Sequence, residues 1–303
     1  YHSRGARDSY LIALGILLCV IPLLAGIQRV RGTAQQESRL GGPRSTVQPA
    51  RMKGPLLLFA YLGHLLMVGV GVVLPLSTLL GWVVGGWIHR VRFAEIAGPL
   101  STTLWYASIG GGLVLATSLL PAAFASRSSK SAKWTETAAF ITSSLPGILV
   151  AFGILHLILF VERKMPLLFW SQTIWDTFKY SGGLIFLGYV MRFISQGYAA
   201  VRPALLQVDL RQVEAAHSLG ANTLKRLRYI WLPAVTPGLA AAYFLGFISI
   251  AKELPITLML AMPGHQTLAY RIFDAQSEAS LPDAGLAGLL LLTIAAGAQL
   301  SVI

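Results

Sequence analysis

The chain has 303 residues, of which 55% are hydrophobic and only 12% are charged, about half the ~25% charged content of ordinary soluble domains. A mean hydropathy of +0.65 also excludes a disordered chain, because disorder requires low hydrophobicity. The net charge of +12 would indicate a nucleic-acid surface in a soluble protein, but here the basic residues lie between apolar stretches, where they set orientation in a membrane. The composition therefore predicts a membrane protein without a nucleic-acid partner.

The apolar stretches have the length of membrane spans. A spanning helix needs ~20 mostly apolar residues, and a helix satisfies its own backbone groups in lipid. The fold class predicted is therefore an all-α membrane protein, a multi-span helical bundle. The predicted spans are Tyr10–Ile27, Pro55–Val84, Pro99–Ala125, Thr137–Val161, Tyr180–Val201, Ala234–Leu260 and Ala284–Ile303.

The segment after the first span has a different composition. Residues 28–54 are rich in Gly, Pro, Ser, Gln and Arg and lack apolar periodicity, which is typical of a flexible linker. With this linker in the cytoplasm, the loops on its side carry more Lys and Arg than the opposite loops, as the positive-inside rule requires. We expect residues 1–27 to be the last span of a preceding bundle, and residues 55–303 to form a six-span domain.

The polar segment 202–233, on the same side as the linker, has a helical pattern. Pro203 suits the first turn of a helix, and Gly220 suits a helix C-terminus because glycine accepts positive φ. Asn222 or Thr223 can cap a second short helix that Leu232-Pro233 would end. The pattern predicts a helix–turn–helix elbow.

The elbow carries a carboxylate, Glu214, beside two small residues, Ala215 and Ala216. Small residues allow close backbone approach, so the elbow could dock a partner and transmit a rigid-body movement to the spans at its ends. An amphipathic helix resting on lipid headgroups would have a similar pattern. A DNA-reading helix–turn–helix is disfavoured because the segment lies between two spans.

The stretch Glu214-Ala215-Ala216-His217-Ser218-Leu219-Gly220, followed by Ile230-Trp231-Leu232-Pro233, resembles the EAA loop of ABC importer permeases, E-A-A-x-x-x-G followed by I-x-L-P. The resemblance implies that this loop is the coupling helix, which fits a cleft on the ATP-binding subunit. Glu214 would be its polar contact, Ala215 and Ala216 its close-packed surface, and Gly220 its turn. Ile230, Leu232 and Pro233 complete the signature.

A second stretch, 247–258, is similar to the F-I-x-x-x-K-E-L-P-x-T-L segment of ferric-iron permeases. Those permeases commonly fuse two six-span halves, which implies that residues 1–27 end a first permease half and residues 55–303 form most of a second. The implied fold is that of type I ABC importer permeases. Thiamine, phosphonate and polyamine importers share the loop and remain alternative substrate classes.

The resemblance also implies partners and a location. A dimer of ATP-binding subunits would hold ATP and Mg, since this chain has no G-x-x-x-x-G-K-[ST] loop, no cofactor of its own and no enzyme activity. A periplasmic solute-binding protein would reach the outer loops Arg163–Lys179 and Pro263–Pro282. The protein would be a multi-pass component of the bacterial inner membrane, in contact with its lipid.

Ionisable residues inside spans are functional hypotheses by default. Arg192 lies about 12 Å from the inner end of its predicted span, and it could face a central cavity or snorkel to the headgroups. Lys252 and Glu253 are expected near the outer surface, beside a helix break at Pro255. These four residues are candidates for the translocation path or an outer gate, and an interfacial anchor is the alternative for the charged pair.

His64 and His156 lack a ligand partner one turn away, so we expect hydrogen-bonded histidines in the bundle and no metal site. Three other classes compete with an importer permease. An intramembrane enzyme predicts catalytic patterns such as H-E-x-x-H, which are absent from the sequence. A secondary transporter driven by an ion gradient predicts more carboxylates in the spans, and a structural anchor needs neither the elbow nor the charged pair.

Overall fold

The computed structural model describes residues 54–87, 93–126, 129–164, 182–262 and 264–301, and these residues are helices joined by turns and short loops. The chain divides into two compact units, residues 1–65 and 66–303. Of the first unit only residues 54–65 are described, and they are helical beyond a turn at Gly54. The predicted span Tyr10–Ile27 and almost all of the predicted linker lie outside the described residues.

The α-helices in the described part of the chain are numbered in order. They are α1 (Pro55–Val68), α2 (Leu74–Trp87), α3 (Phe93–Ala125), α4 (Ser129–Ser144), α5 (Gly147–Lys164), α6 (Gly183–Leu206), α7 (Leu210–Ser218), α8 (Thr223–Arg226), α9 (Leu232–Ala251), α10 (Pro255–Leu260), α11 (Leu268–Ser277) and α12 (Leu281–Leu300). Two π-helical turns, Gly69–Val73 and Leu227–Trp231, join α1 to α2 and α8 to α9.

Five helical segments of the described chain are long and apolar enough to cross a membrane, and α4 with α5 adds a sixth if the pair is one span. Each of the last six predicted spans therefore has a counterpart. The predicted span Thr137–Val161 is not one continuous helix, because α4 and α5 meet at an angle of 99°. Pro146 lacks a backbone N–H and Gly147 follows it, so the helix breaks between Ser144 and Gly147.

The predicted span Ala234–Leu260 is interrupted, and the helix break expected beside Pro255 is confirmed. The helix α9 ends at Ala251, and α10 begins with Pro255 at its first position. A proline at that position is favourable because the N–H it lacks would have no partner in the helix. The residues between the two helices form a second break.

The elbow differs from its predicted boundaries at both ends. Pro203 does not begin a helix but lies inside α6, which continues to Leu206. Leu232-Pro233 does not end the second helix. The Leu232 N–H donates to the Leu227 carbonyl in the π turn, and the wider turn lets the helix continue past Pro233 into α9.

The centre of residues 66–303 is formed by α3, α6 and α9, which pack against one another along their lengths. Gly246 of α9 permits the close approach to α3, because an added Cβ would lie 3.3 Å from the Gly111 Cα and from Val114. A buried cluster around Tyr189 includes Ile154, Ile250 and Ile256, and so joins α5, α6, α9 and α10.

At the end of the molecule opposite the elbow, α11 is fastened to α3. The buried Leu268 N–H donates to Thr103 Oγ1 at 2.8 Å, and that hydroxyl donates to the Pro99 carbonyl at 2.7 Å. Arg271 of α11 lies 3.3 Å from a Glu95 carboxylate oxygen and 3.5 Å from one of Asp283. These contacts hold α11 between α3 and α12.

We expect Thr103→Val to destabilise the protein by about 1–3 kcal/mol, because it leaves the buried Leu268 N–H without an acceptor. Thermal or urea unfolding of the purified protein in detergent measures the change. The matched control is Thr117→Val, whose hydroxyl bonds only carbonyls of its own helix, and we expect a change within about 0.5 kcal/mol. Equal shifts for the two variants would show that the Leu268 contact contributes nothing.

Candidate functional site

The elbow is built from two capped helix starts and one glycine turn. The Asp209 carboxylate accepts the Arg211 N–H at 2.9 Å and begins α7. Gly220 has φ +78°, a conformation that strains any residue with a Cβ, so the predicted glycine turn is confirmed. Asn222 Oδ1 accepts the Lys225 N–H at 2.8 Å, which confirms Asn222 as the cap of the second helix.

The outward surface of the elbow combines one charge with small and apolar groups. Glu214 and Ala215 are exposed, Ala216 is half-buried, and Leu219 beside the turn is 88% exposed. Leu210 and Leu224 of the elbow are also more than half exposed, so the elbow has apolar surface that a partner or lipid headgroups can cover. The elbow can therefore dock a partner through a carboxylate flanked by close-packing alanines.

The opposite face of the elbow is fixed to the bundle. Ala204, Val208 and Val235 are buried together, and Val213 of α7 and Trp231 of the π turn pack against them. Ile230 is half-buried in the stem of the elbow, and Leu232 and Pro233 are exposed at the start of α9. Because α7 is held by residues of both α6 and α9, a push on the elbow reaches both helices.

The second candidate site lies inside the bundle, where the Arg192–Glu253 ion pair meets the breaks in two helices, and it is called the joint below. The Arg192 Nε of α6 lies 3.2 Å from a Glu253 carboxylate oxygen, without the alignment of a hydrogen bond. The same guanidinium donates from Nη1 to the Leu145 carbonyl at 2.8 Å. Glu253 lies in the break between α9 and α10, and Leu145 in the break between α4 and α5. One arginine thus contacts both helix breaks.

The position of this joint decides between the two interpretations of Arg192 and corrects the predicted depth of Glu253. Arg192 does not snorkel, because its side chain turns towards Glu253, and it lies about 21 Å from the inner end of α6, which is longer than predicted. Glu253 is not near the outer surface, because it contacts a residue about 14 Å inside α6. The prediction counted the depth of Glu253 from Ala234, but Gly238 packs against Ala204 near the inner end of α6. Ala234 therefore lies about one turn nearer the elbow than Ala204, and a depth counted from Ala234 is too large.

The neighbouring residues of the joint differ in burial. Glu253 is buried, and its carboxylate also accepts the Ile256 N–H at 3.4 Å. Lys252 is exposed, so the adjacent charges point in different directions, as the helical geometry predicted. Pro255 is exposed at the start of α10. Thr257 donates to the Glu253 backbone carbonyl at 2.7 Å, which holds the break in place.

The sequence reasoning missed several residues of the joint. A Cβ on Gly147 would lie 2.5 Å from Glu253 Oε1 and 3.2 Å from Arg192 Nη1, so a larger residue there must displace at least one of these two side chains. The Pro146-Gly147 dipeptide was the available signal. One turn from the ion pair, Ser249 Oγ and Gln196 Oε1 are hydrogen-bonded at 2.6 Å. Polar side chains within apolar spans could have indicated that pair.

The two histidines are not part of either site. Both side chains are exposed, so neither is enclosed as predicted, but the hydrogen bond predicted for His156 is present. His156 Nδ1 lies 3.0 Å from the Phe152 carbonyl of its own helix. Within the described residues no three His, Cys, Asp or Glu side chains are grouped so that they could hold a metal ion.

We expect Gly147→Ala to lower the free energy of unfolding by about 1–3 kcal/mol, because the methyl group overpacks the Arg192–Glu253 joint. Gly153→Ala is the matched control on the same helix, where an added Cβ meets no atom within 4 Å. There alanine should stabilise the helix by about 0.5–1 kcal/mol. Thermal unfolding in detergent distinguishes the two, and a neutral Gly147→Ala would contradict the geometry of the joint.

Comparisons with known proteins agree with these features. Residues 108–303 match the family model described as binding-protein-dependent transport system inner membrane component. The chain is 24% identical over 227 residues to "Fe(3+)-transport system permease protein FbpB 2" of Haemophilus influenzae, which covers 74% of this chain and 42% of that protein. It is 24% identical to "Putative 2-aminoethylphosphonate transport system permease protein PhnV" of Salmonella typhimurium, over 54% of this chain and 57% of that protein.

A third relative is "Spermidine/putrescine transport system permease protein PotC" of Escherichia coli K12, 26% identical over 51% of this chain and 53% of that protein. The chain thus spans about half the length of the curated relatives it matches. Among solved structures, a bacterial ABC transporter involved in the import of the acidic polysaccharide alginate aligns with a TM-score of 0.49 and 15% identity, over 82% of this chain and 95% of that chain. Since the family model matches well over half of the residues, this chain belongs to the family of inner-membrane components of binding-protein-dependent transport systems.

Proposed function

We propose that this chain is the transmembrane permease subunit of an ATP-driven importer, a multi-pass protein of the bacterial inner membrane. It performs no chemistry itself. A dimer of ATP-binding subunits holds ATP and Mg and hydrolyses the nucleotide, and a periplasmic solute-binding protein delivers the substrate to the outer loops. The observation that carries this proposal is the elbow, which exposes Glu214 and is packed against two spanning helices, α6 and α9. The family to which the chain belongs supports the same function.

In this proposal the elbow is the coupling site. Glu214 is the polar contact with the ATP-binding subunit, and Ala215 and Ala216 form the surface on which that subunit packs. Gly220 sets the turn that presents them. Ile230, Leu232 and Pro233 form the stem, and the helix that contains them continues without interruption to Ala251, so it can carry a displacement into the membrane.

The joint supplies the candidate gate and translocation residues. Arg192 and Glu253 bring a charged pair to the point where two helices break, and Pro255 begins the helix after one of these breaks. Lys252 is exposed beside the pair and is the residue proposed to face the translocation path. Interrupted helices commonly form the substrate and coupling-ion sites of transporters, which supports the assignment of these residues to the translocation path.

Ferric iron is the substrate we propose. The support is the segment Phe247–Leu258, which resembles ferric-iron permeases, together with the similarity to the Haemophilus influenzae permease. Phosphonates and polyamines are the alternative substrates within the same permease class, since relatives with those names also match. Thiamine is a further alternative from the shared loop, and a secondary transporter driven by an ion gradient is the alternative of another class.

The coupling role predicts that Glu214→Lys lowers uptake and substrate-stimulated ATPase activity by about tenfold or more, because a charge-assisted contact is replaced by repulsion. Gly220→Val should act in the same direction, since a β-branched residue at φ +78° is strained. Uptake and ATPase activity are measured in proteoliposomes that contain the full-length transporter with its ATP-binding subunits.

The matched control is Glu37→Lys, the same charge reversal in the segment predicted as a linker, and it should leave both activities unchanged. Membrane insertion, followed by yield and size-exclusion profile, should be equal for all variants. Normal uptake in both elbow variants would refute the coupling role.

The substrate proposal predicts ATP-dependent uptake of ferric iron presented by the cognate binding protein. Depletion of ATP should abolish this uptake, and an uncoupler should not. Uptake of 2-aminoethylphosphonate or spermidine in place of iron would move the chain to one of the alternative substrates. Uptake that persists without ATP but fails with an uncoupler would instead support a secondary transporter.

A further inference from the structure

We propose that Arg192 and Arg202 fasten α4 to α6, so that α4, α6, α9 and the elbow move as one body, and that Arg192 is a positioning residue that sets the direction of α5. This inference rests on the proposed coupling role of the elbow. It adds the route by which a displacement of the elbow reaches the bent pair α4–α5, which is not adjacent to the elbow in the sequence.

The first part of the route is the contact between α6 and α9. These helices begin and end the elbow, and they pack so closely at Gly238 that an added Cβ would lie 2.3 Å from the Ala204 side chain and 3.0 Å from the Ala200 carbonyl oxygen. Further along, Gln196 is hydrogen-bonded to Ser249. The Arg192–Glu253 pair completes the contact, so α6 is linked to α9 from near the inner end of α6 to its middle, and up to the break that follows α9.

The second part is the attachment of α4, which contacts α6 at its middle and just beyond its C-terminal end. Arg202 Nη1 donates to a Glu136 carboxylate oxygen at 2.9 Å, and Arg192 Nη1 donates to the Leu145 carbonyl at 2.8 Å. Between these points Ala139 of α4 is buried with Tyr198 of α6 in one cluster. Two polar contacts with a packed interface between them prevent α4 from sliding or tilting independently of α6.

The third part is the bend itself. Arg192 binds the carbonyl of Leu145, the residue at which α4 gives way to α5, and Gly147 places the first residue of α5 against the Glu253 carboxylate. The direction of α5 is therefore fixed by the same guanidinium that holds the break after α9. A shift of α6 and α9 carries the bend with it and so moves α5.

Paramagnetic labels on α5 and α6 test this inference. Leu157→Cys and Ala199→Cys are both at exposed positions, and the single native cysteine is removed by Cys19→Ser. The distance between the labels is measured by pulsed electron paramagnetic resonance in the full transporter, without nucleotide and in an ATP-trapped state. With Arg192 in place, we expect a distance that agrees between the two states within about 2 Å.

Arg192→Lys keeps the charge but cannot reach both Glu253 and Leu145. It should broaden the distance distribution and lower the ratio of uptake to ATP hydrolysis by about tenfold. Glu253→Gln, which keeps size but removes the charge, is the second variant if Arg192→Lys does not fold. Arg271→Lys is the matched control for loss of a partly buried arginine ion pair, and it should retain the original distance distribution.

If the distance between the labels changes with nucleotide while Arg192 and Glu253 are both intact, the single-body inference is overturned. Arg192→Lys with an unchanged distribution, or with a broadened distribution but the original ratio of uptake to ATP hydrolysis, would also overturn it. Failure here is separable from failure of the proposed function. If Glu214→Lys abolishes uptake while the labels contradict a single body, the elbow still couples and only the route through Arg192 is refuted.

Discussion

A positive charge inside a bundle of apolar helices must be paired, and in this protein two helix breaks supply the groups that pair it. Removal of one partner from a buried ion pair costs about 3–5 kcal/mol, because the remaining charge has no solvent. Glu253 meets Arg192 only because α9 ends at Ala251 and the chain turns before Pro255. Leu145 offers its carbonyl to the same guanidinium only because α4 ends before Pro146.

The two candidate sites are connected through the helices between them. The elbow is rooted in the buried cluster around Val208 and Val235, and α9, which follows the elbow, ends at Ala251 beside the joint. Close packing makes such a pair of helices stiff, since protein interiors leave little empty space for independent sliding. The transport function proposed for this chain therefore depends on the movement of three elements: the elbow, the helix pair α6 and α9, and the bend between α4 and α5.

Much of the fold could be predicted from the sequence, because spans depend on apolar length and turns on local chemistry. Gly220 and Asn222 were correctly placed because positive φ and N-terminal capping are properties of single residues. The bend at Pro146 was missed because an apolar run of span length outweighed a two-residue signal. Pro233 was misjudged for a different reason, since a π turn that accommodates a proline leaves no local pattern in the sequence.

The sequence identified two residues of the joint, Arg192 and Glu253, as candidate site residues, but it did not predict that they contact each other. Arg192 and Glu253 stood out as ionisable residues in apolar surroundings, but their separation of sixty-one positions gave no indication of contact. Depth was misjudged because it was counted from the start of an apolar run, while the register of α9 against α6 depends on tertiary packing at Gly238. Gly147 has its role only when Glu253 is beside it, so no local reading of the sequence could assign it.

The account depends most on the interaction of Arg192 with Glu253, and reversal of both charges tests it most directly. Uptake per folded transporter is measured for Arg192→Glu, for Glu253→Arg and for the double variant. The account predicts that each single reversal lowers uptake and that the double variant recovers at least about tenfold over either one, because the pair forms again with exchanged signs. A double variant no more active than the single reversals would contradict a functional pairing of these two residues.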